Sequence, residues 1–238
     1  MLALGGRPYD GAYNTSLNGI RIGINREKEL SDVQDSPEEI SAFDDFCKLL
    51  TNAGATIIDG INLDADYKTR RTIMQHEFKA CINHYLATAA KNTDMRTLQD
   101  IIEFNQANAA TALKYGQSLL LDSQNKSSGR FTEPEYIEAL MAREKAIAEI
   151  DNVFEANNLD ILMGEAFVYI APYTGFPSMT IPIGQWQEDK FFQMPIPAFF
   201  TARRFDEATM IKVAHAVENI INLRLCPVDT IFNQNAQQ

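Results

Sequence analysis

The chain contains a few residues whose types could bind a metal, and their spacing argues against it. His76 and Glu77 begin like the zinc-binding pattern His-Glu-x-x-His, but position 80 is alanine and the next histidine is His84. The zinc pattern works because two histidines four residues apart share one helix face. That pair is missing here, so the sequence predicts no metal site, and no other motif indicates a cofactor.

Residues suited to nucleophilic catalysis are also present, without the neighbours that would activate them. Cys81 and His84 are three residues apart, but a cysteine on a helix face is usually inert core, and no third group that would orient the histidine is evident. Ser127-Ser128-Gly129 falls in a polar segment where serines usually form turns. The chain has no GxSxG, phosphate-loop or dinucleotide motif. We therefore predict no catalytic residue.

The overall charge limits the classes of partner. A net charge of -11 disfavours partners that are bound by neutralising phosphates, so neither nucleic acid nor an anionic membrane is expected. No run of 18 apolar residues occurs, and the first residues lack the basic start and apolar stretch of a signal peptide. The three cysteines, Cys47, Cys81 and Cys226, are an odd number without CxxC spacing, which favours reduced thiols. Together these features predict a cytoplasmic protein.

The clearest local structure is a strand, a helix and a second strand. Ser36 can cap a helix in which Pro37 takes the first position and Glu39 completes a capping box. Apolar residues then recur at helical spacing up to Leu50. Short apolar strands flank this helix at Gly19–Ile24 and 55–58. A strand, helix and strand within 40 residues indicate a parallel pair.

The remaining segments complete an α/β chain. We predict an amphipathic helix over 68–90 with Ile73, Phe78, Cys81, Ile82, Tyr85 and Leu86 mostly on one side, and hairpin-like strands at Phe191–Met194 and Ala198–Thr201. Thr97 and Asp100 begin a further helix that reaches about Leu121, followed by a polar loop over 122–130. The predicted fold class is α/β, with a mixed central sheet flanked by helices. The simplest domain division is one domain over 1–238, with an arm at 1–18 and a tail at 228–238.

Several blocks of the chain resemble a known family in their order and spacing. They are Glu77–Leu86, Thr97–Asn105, Gly175–Gly184, the segment 205–211 and Asn222–Pro227. In this arrangement they resemble the second half of the amidase signature family, whose members are serine amidohydrolases. The resemblance implies the sheet and helices of the C-terminal half of that fold. One departure is Gly164-Glu165, which stands where the family usually has Pro-Thr.

The resemblance also implies which parts are missing. The family's nucleophile lies in a GGSSGGS-type loop, and it works with a second serine and a lysine, all of which precede the position that matches Gly19. None of these motifs occurs in residues 1–238. We therefore expect a truncated or split amidase-family protein without amide hydrolase activity on its own, whose complete enzyme would hydrolyse carboxamides or amides. The alternative is a non-catalytic binding or structural module, which the short loop over 164–172 favours.

The resemblance further implies a partner and a binding surface. The family's sheet continues across both halves, so this half should present an open edge and apolar surface. Such edges are usually covered, here by a homodimer or by an N-terminal amidase half as partner chain. The residues that the resemblance places beside the substrate channel are Phe104, Asn105, Phe167 and Phe176.

Overall fold

The computed structural model of the protein describes residues 16–32, 36–63, 68–90, 92–164, 167–186 and 194–221. These residues form two compact units, which we treat separately. The sheet unit comprises residues 1–64 and 149–238, and the helical unit comprises residues 65–148. Most of the predicted arm and the whole predicted tail lie outside the described residues. The single-domain interpretation stays a prediction.

The sheet unit is built on five strands in the order β2-β1-β3-β5-β4. The strands are β1 (Arg21–Gly23), β2 (Thr56–Ile58), β3 (Ile161–Met163), β4 (Ser178–Gln185) and β5 (Pro195–Ala202). β1 is parallel to both β2 and β3, whereas β5 is antiparallel to β3 and β4. The sheet is therefore mixed, and the predicted α/β fold class is confirmed. The predicted parallel pair is also confirmed, with Arg21 opposite Thr56.

Helices cover the sheet of this unit. They are α1 (Arg26–Asp32), α2 (Pro37–Asn52), α8 (Ile170–Thr174), α9 (Glu207–Ile221) and the end of α7 (Pro134–Ala156). Helix α2 begins as predicted, because Ser36 accepts a 3.4 Å hydrogen bond from the Glu39 N–H and Pro37 takes the first helical position. Its buried face, which includes Phe46 and Leu50, packs with α9 and the strands in one apolar core.

The strand that pairs with β5 differs from the prediction. The predicted hairpin partner was Phe191–Met194, of which residues 191–193 lie outside the described residues. β5 pairs instead with β4, where Thr180 stands opposite Phe199 and Pro182 opposite Pro197. Two prolines in register cannot donate to the ladder, and the register shifts between Pro182 and Gly184. Because prolines are rare inside paired strands, the sequence pattern did not predict the pairing of β4 with β5.

The helical unit contains α3 (Arg70–Thr88), α4 (Leu98–Ala107), α5 (Ala109–Ala112), α6 (Ser118–Lys126) and most of α7. Helix α4 starts with the predicted capping chemistry, since Thr97 and Asp100 exchange hydrogen bonds. The single helix expected up to Leu121 is wrong, because α4 ends at Ala107 and Gly116 has a left-handed φ of 73°. The loop expected from Asp122 is wrong as well, because α6 continues to Lys126. In the part of the chain that the structure describes, no helix is both long and apolar enough to cross a membrane.

Candidate functional site

The helical unit brings a serine, a lysine and a histidine together, which are residue types that hydrolases use. Ser127 is buried, and its hydroxyl donates a 2.8 Å hydrogen bond to the main-chain oxygen of His76. The Ser127 Oγ also accepts a 3.1 Å bond from the Gly129 N–H. Lys79 Nζ donates to the main-chain oxygens of Ser127 and Gln124, at 2.9 and 3.1 Å. The cluster therefore joins α3 to the segment that follows α6.

The geometry of this cluster is structural rather than catalytic. A nucleophilic serine needs a base that accepts its proton. The proton of Ser127 is directed at a peptide oxygen, which cannot take it up at neutral pH, and the Lys79 ammonium also faces peptide oxygens. The contacts to the Gly129 N–H and to the Gln124 and Ser127 oxygens satisfy main-chain groups at and after the end of α6, where helical bonds stop.

His76 is held by one ring nitrogen and by one ring face, and its Nε2 makes no hydrogen bond with the residues that the structure describes. Its Nδ1 lies 2.8 Å from the Thr72 main-chain oxygen, which can only accept, so Nδ1 carries a proton. Its Nε2 lies 3.3 Å from Glu135 Oε1, and the ring stacks on Tyr136 at 5.7 Å between centroids. Tyr136 Oη donates to Glu77 Oε1 at 2.9 Å. Burial raises the pKa of Tyr136, and this hydrogen bond raises it further as the next largest cause.

These contacts give His76 the role of a packing residue between α3 and α7. The exposed carboxylate of Glu135 is the acidic group beside it. No group of three His, Cys, Asp or Glu side chains within the described ranges is arranged to hold a metal ion.

The helical unit also contains two of the predicted substrate-binding residues. Phe104, on α4, is 51% exposed. Asn105 is half-buried, and its Nδ2 donates to Gln117 Oε1 at 3.1 Å, while Gln117 Nε2 reaches the Ile102 oxygen at 3.4 Å. Asn105 therefore ties α4 to the residue that precedes α6. Phe104 is the member of the pair with apolar surface available to a ligand.

The other two predicted substrate-binding residues, Phe167 and Phe176, are buried in the sheet unit. Phe176 lies parallel to Phe154, with 6.3 Å between ring centroids. Arginines cover both rings. The Arg204 guanidinium is 5.9 Å from the Phe176 centroid, and that of Arg203 is 5.5 Å from the Phe154 centroid. The structure thus brings Phe104 with Asn105 into one unit and Phe167 with Phe176 into the other, and their substrate-binding role stays a prediction.

Local structure explains the position of Phe176. Helix α8, which the sequence did not indicate, ends at Gly175, whose left-handed φ of 82° turns the chain towards β4. Arg203 and Arg204 were not singled out as site residues. The available signal was their place directly after the aromatic strand β5, since guanidinium groups stack readily on aromatic rings.

Charged side chains gather after the carboxyl ends of β1 and β2, where open α/β sheets commonly bind ligands. Arg26 forms ion pairs with Asp44 and with Asp59, the latter at 3.1 Å. Burial acts to raise the pKa of Asp59, but hydrogen bonds from Arg26 and Gly60 outweigh it, so the net pKa is lowered. Burial raises the pKa of the nearby Cys47 thiol to about 11. The carboxylates of Asp44 and Asp59 both pair with Arg26. Its positive charge is therefore already balanced within the cluster, and it does not form an open anion site.

Gly164, where the family usually has Pro-Thr, packs against a buried acid. Glu29 of α1 is 6% exposed, and a Cβ added to Gly164 would lie 2.4 Å from Glu29 Oε1. Gly164 also has a φ of 128°, which side chains rarely adopt. The carboxylate of Glu29 therefore fills the space directly beyond β3, and glycine is the residue that leaves room for it.

Comparisons with known proteins agree with this fold. No family model matches the chain. A Schizosaccharomyces pombe protein named as an amidase is 23% identical over 266 residues, covering 94% of this chain and 44% of that protein. The structure of native peptide amidase from Stenotrophomonas maltophilia is 27% identical, with a TM-score of 0.79 over 94% of this chain and 48% of that one. The predicted resemblance to the amidase signature enzymes is confirmed.

A bacterial aryl acylamidase of the amidase signature family is more distant. It is 13% identical with a TM-score of 0.55, which shows a shared fold alone. The chain spans about half the length of the amidases that it matches. The amidase resemblance therefore concerns one half of such an enzyme.

Proposed function

We propose that this chain provides the non-catalytic half of an amidase and does not hydrolyse amides on its own. The observation that carries the proposal is that the chain matches an amidase over nearly its whole length but lacks the amidase nucleophile motif. The match extends over 94% of the chain, yet the sequence has no GGSSGGS-type loop. The best serine candidate, Ser127, directs its proton to a peptide oxygen. In this view the protein is a truncated or split amidase.

The complete enzyme would hydrolyse a carboxamide or an amide to an acid and an amine. The likeness to a peptide amidase favours peptide amides as the first substrates to test. The partner would be a polypeptide with the nucleophile loop and its lysine, and Phe104 would form part of the wall of the joint substrate channel. We also place the protein in the cytoplasm, because Cys47 and Cys81 are free thiols.

The experiment compares the purified chain with a mixture of the chain and any polypeptide encoded beside it that carries a GGSSGGS-type loop. We expect no release of ammonia from peptide amides by the chain alone, and release by the mixture. A fluorophosphonate probe should label a serine in the second polypeptide only. Hydrolysis by the chain alone, abolished together with labelling of one of its own serines, would overturn the proposal.

The second candidate function is a binding or structural module without chemistry. It is favoured by Glu29, which fills the space beyond β3 next to Gly164, and by the burial of Phe167 and Phe176. The two functions differ in the mixing experiment. A module would form its complex without any gain of hydrolysis, and Phe104→Ala would leave that complex unchanged.

A further inference from the structure

Helix α3 exposes an apolar stripe formed by Met74, Phe78, Cys81 and Tyr85. Its members are separated by four, three and four residues, so they lie along one face of the helix. Met74 is 55% exposed, Phe78 37% and Tyr85 56%, and Cys81 is exposed as well. The sequence placed Phe78, Cys81 and Tyr85 mostly on one side of this helix together with Ile73 and Leu86, whereas in the structure Ile73 and Leu86 are buried and the other three are exposed.

Polar contacts explain why the stripe is on the outside. Gln75 Nε2 donates to Asp122 Oδ2 of α6 at 3.1 Å, and Lys79 binds main-chain oxygens at the end of α6. Glu77 accepts from Tyr136 of α7. These contacts fix the rotation of α3 within the helical unit, so that its polar side faces α6 and α7 and its apolar stripe faces solvent.

We propose that this stripe binds the same stripe of a second copy of the chain, as an antiparallel helix pair. The spacing of four, three and four is the repeat with which two helices pack side by side along a shared seam. A two-fold axis between residues 79 and 80 places Met74 opposite Tyr85 of the other copy, and Phe78 opposite Cys81. The surface is thus self-complementary, as a symmetric dimer interface requires.

The charges of α3 select the antiparallel direction. With this axis the two charged residues that flank the stripe each meet an uncharged residue, Arg70 with Ala89 and Arg71 with Thr88. A parallel pair in register would instead place each of these charges beside its own copy. Like charges that face each other destabilise such a pair. The antiparallel arrangement avoids every such contact on this helix.

The distribution of charge also favours the helical unit as the meeting surface. Residues 65–148 hold 11 basic and 10 acidic residues, a net charge of +1. The rest of the chain holds 10 basic and 22 acidic residues, a net charge of -12. Two copies repel each other least where their helical units meet. One helix pair buries less than the roughly 1,600 Å² of a standard interface, so we expect a weak dimer.

Analytical ultracentrifugation of the full chain tests the proposal. We expect a monomer–dimer equilibrium whose Kd rises at least tenfold in Tyr85→Glu. The matched control is Tyr115→Glu, because Tyr115 is 90% exposed and lies outside the stripe. Circular dichroism should show that both variants are folded. A chain that stays monomeric at several hundred micromolar, or a dimer that Tyr85→Glu does not weaken, would overturn the proposal.

Two further variants test the direction. Met74→Lys should weaken the dimer, and adding Tyr85→Glu to it should restore part of the affinity, because the two new charges face each other across an antiparallel seam. A parallel pair would be weakened further by the second change, which would contradict the proposed geometry.

Crosslinking provides a second measurement. From a helix rise of 1.5 Å, a Cα radius of 2.3 Å and an interaxial distance of 8–10 Å, the two Cys81 Cα atoms are roughly 6–8 Å apart. A short bismaleimide should therefore link two chains of a Cys226→Ser variant, and Cys81→Ser should abolish the link. Persistent crosslinking after Cys81→Ser would place the contact elsewhere and refute the proposal.

Discussion

Ser127 donates its hydroxyl proton to the main-chain oxygen of His76, 2.8 Å away, in a site where both residues are buried. This bond gives the serine-rich segment 127–129 a structural role. The same hydroxyl accepts the Gly129 N–H, so the oxygen is occupied as donor and acceptor. Ser127 therefore closes the loop after α6 against α3, and the oxygen that receives its proton is a peptide oxygen, which does not act as a base.

The first prediction concerns this bond. Ser127→Ala removes the bond to the His76 oxygen and leaves the Gly129 N–H without its acceptor, and it should lower the free energy of unfolding by about 1–3 kcal/mol. Ser128→Ala is the matched control, because Ser128 is exposed and its side chain makes only local bonds, from the Arg130 N–H and to the Glu133 carboxylate. Urea denaturation measures both variants. Equal losses for the two serines would contradict the structural role.

The second prediction separates the two adjacent arginines of the sheet unit. Arg203 donates to the main-chain oxygens of Leu159 and Phe154, at 2.8 and 3.0 Å, and so binds one carbonyl in the last turn of α7 and one in the segment between α7 and β3. Arg203→Ala should lower the free energy of unfolding by about 2–3 kcal/mol, since hydrogen bonds to a charged group are the stronger ones. Arg204→Ala, which removes an exposed side chain stacked on Phe176, should cost under about 1 kcal/mol. Thermal unfolding of both variants checks the ranking.

The third prediction concerns pH. Hydrogen bonds from the Ser128 N–H and the Ser128 side chain hold the pKa of Glu133 at about 2, below its ordinary 4.5. A lowered pKa means that the contribution to stability is complete above pH 4.5 and is lost as the pH falls towards 2. The protection of the Ser128 and Thr132 amides from hydrogen exchange, measured relative to their intrinsic rates at each pH, should therefore fall over this window.

The matched control for this pH effect is an acid on α7, the helix that begins directly after Glu133. Glu133→Gln should remove the acid-dependent loss of protection at the Ser128 and Thr132 amides. Glu138→Gln, at an exposed position of α7, should retain it. An unchanged exchange profile in Glu133→Gln would show that another group opens the loop.

Local chemistry made part of the fold predictable from sequence. The caps at Ser36 and Thr97 act within four residues, so their residue types alone locate the starts of α2 and α4. The parallel pair of β1 and β2 followed from a strand, helix and strand of ordinary length. Each of these features depends on neighbours in sequence.

The rest depended on contacts that are distant in sequence. The exposed stripe of α3 is set by Asp122 and Tyr136, which lie on other helices. The burial of Phe176 depends on Phe154 and Arg204. The residue pattern within α3 or around Phe176 carries no information about these distant partners. The sequence could therefore propose aromatic site residues but could not predict which of them are exposed.

The last prediction tests the close packing of Gly164 on Glu29. Gly164→Ala adds a Cβ that would lie 2.4 Å from Glu29 Oε1, at a φ of 128°. Crowding and backbone strain together should lower the free energy of unfolding by about 3 kcal/mol. Gly60→Ala isolates the strain, because Gly60 also has a positive φ but no atom within 4 Å of the added Cβ. That control should lose about 1–2 kcal/mol.

In a double-mutant cycle, Glu29→Ala should relieve the crowding part of the Gly164→Ala loss, so that the double variant is more stable than the sum of the two single losses predicts. Strict additivity, measured by urea denaturation, would show that Glu29 moves away without cost and that strain alone explains the glycine.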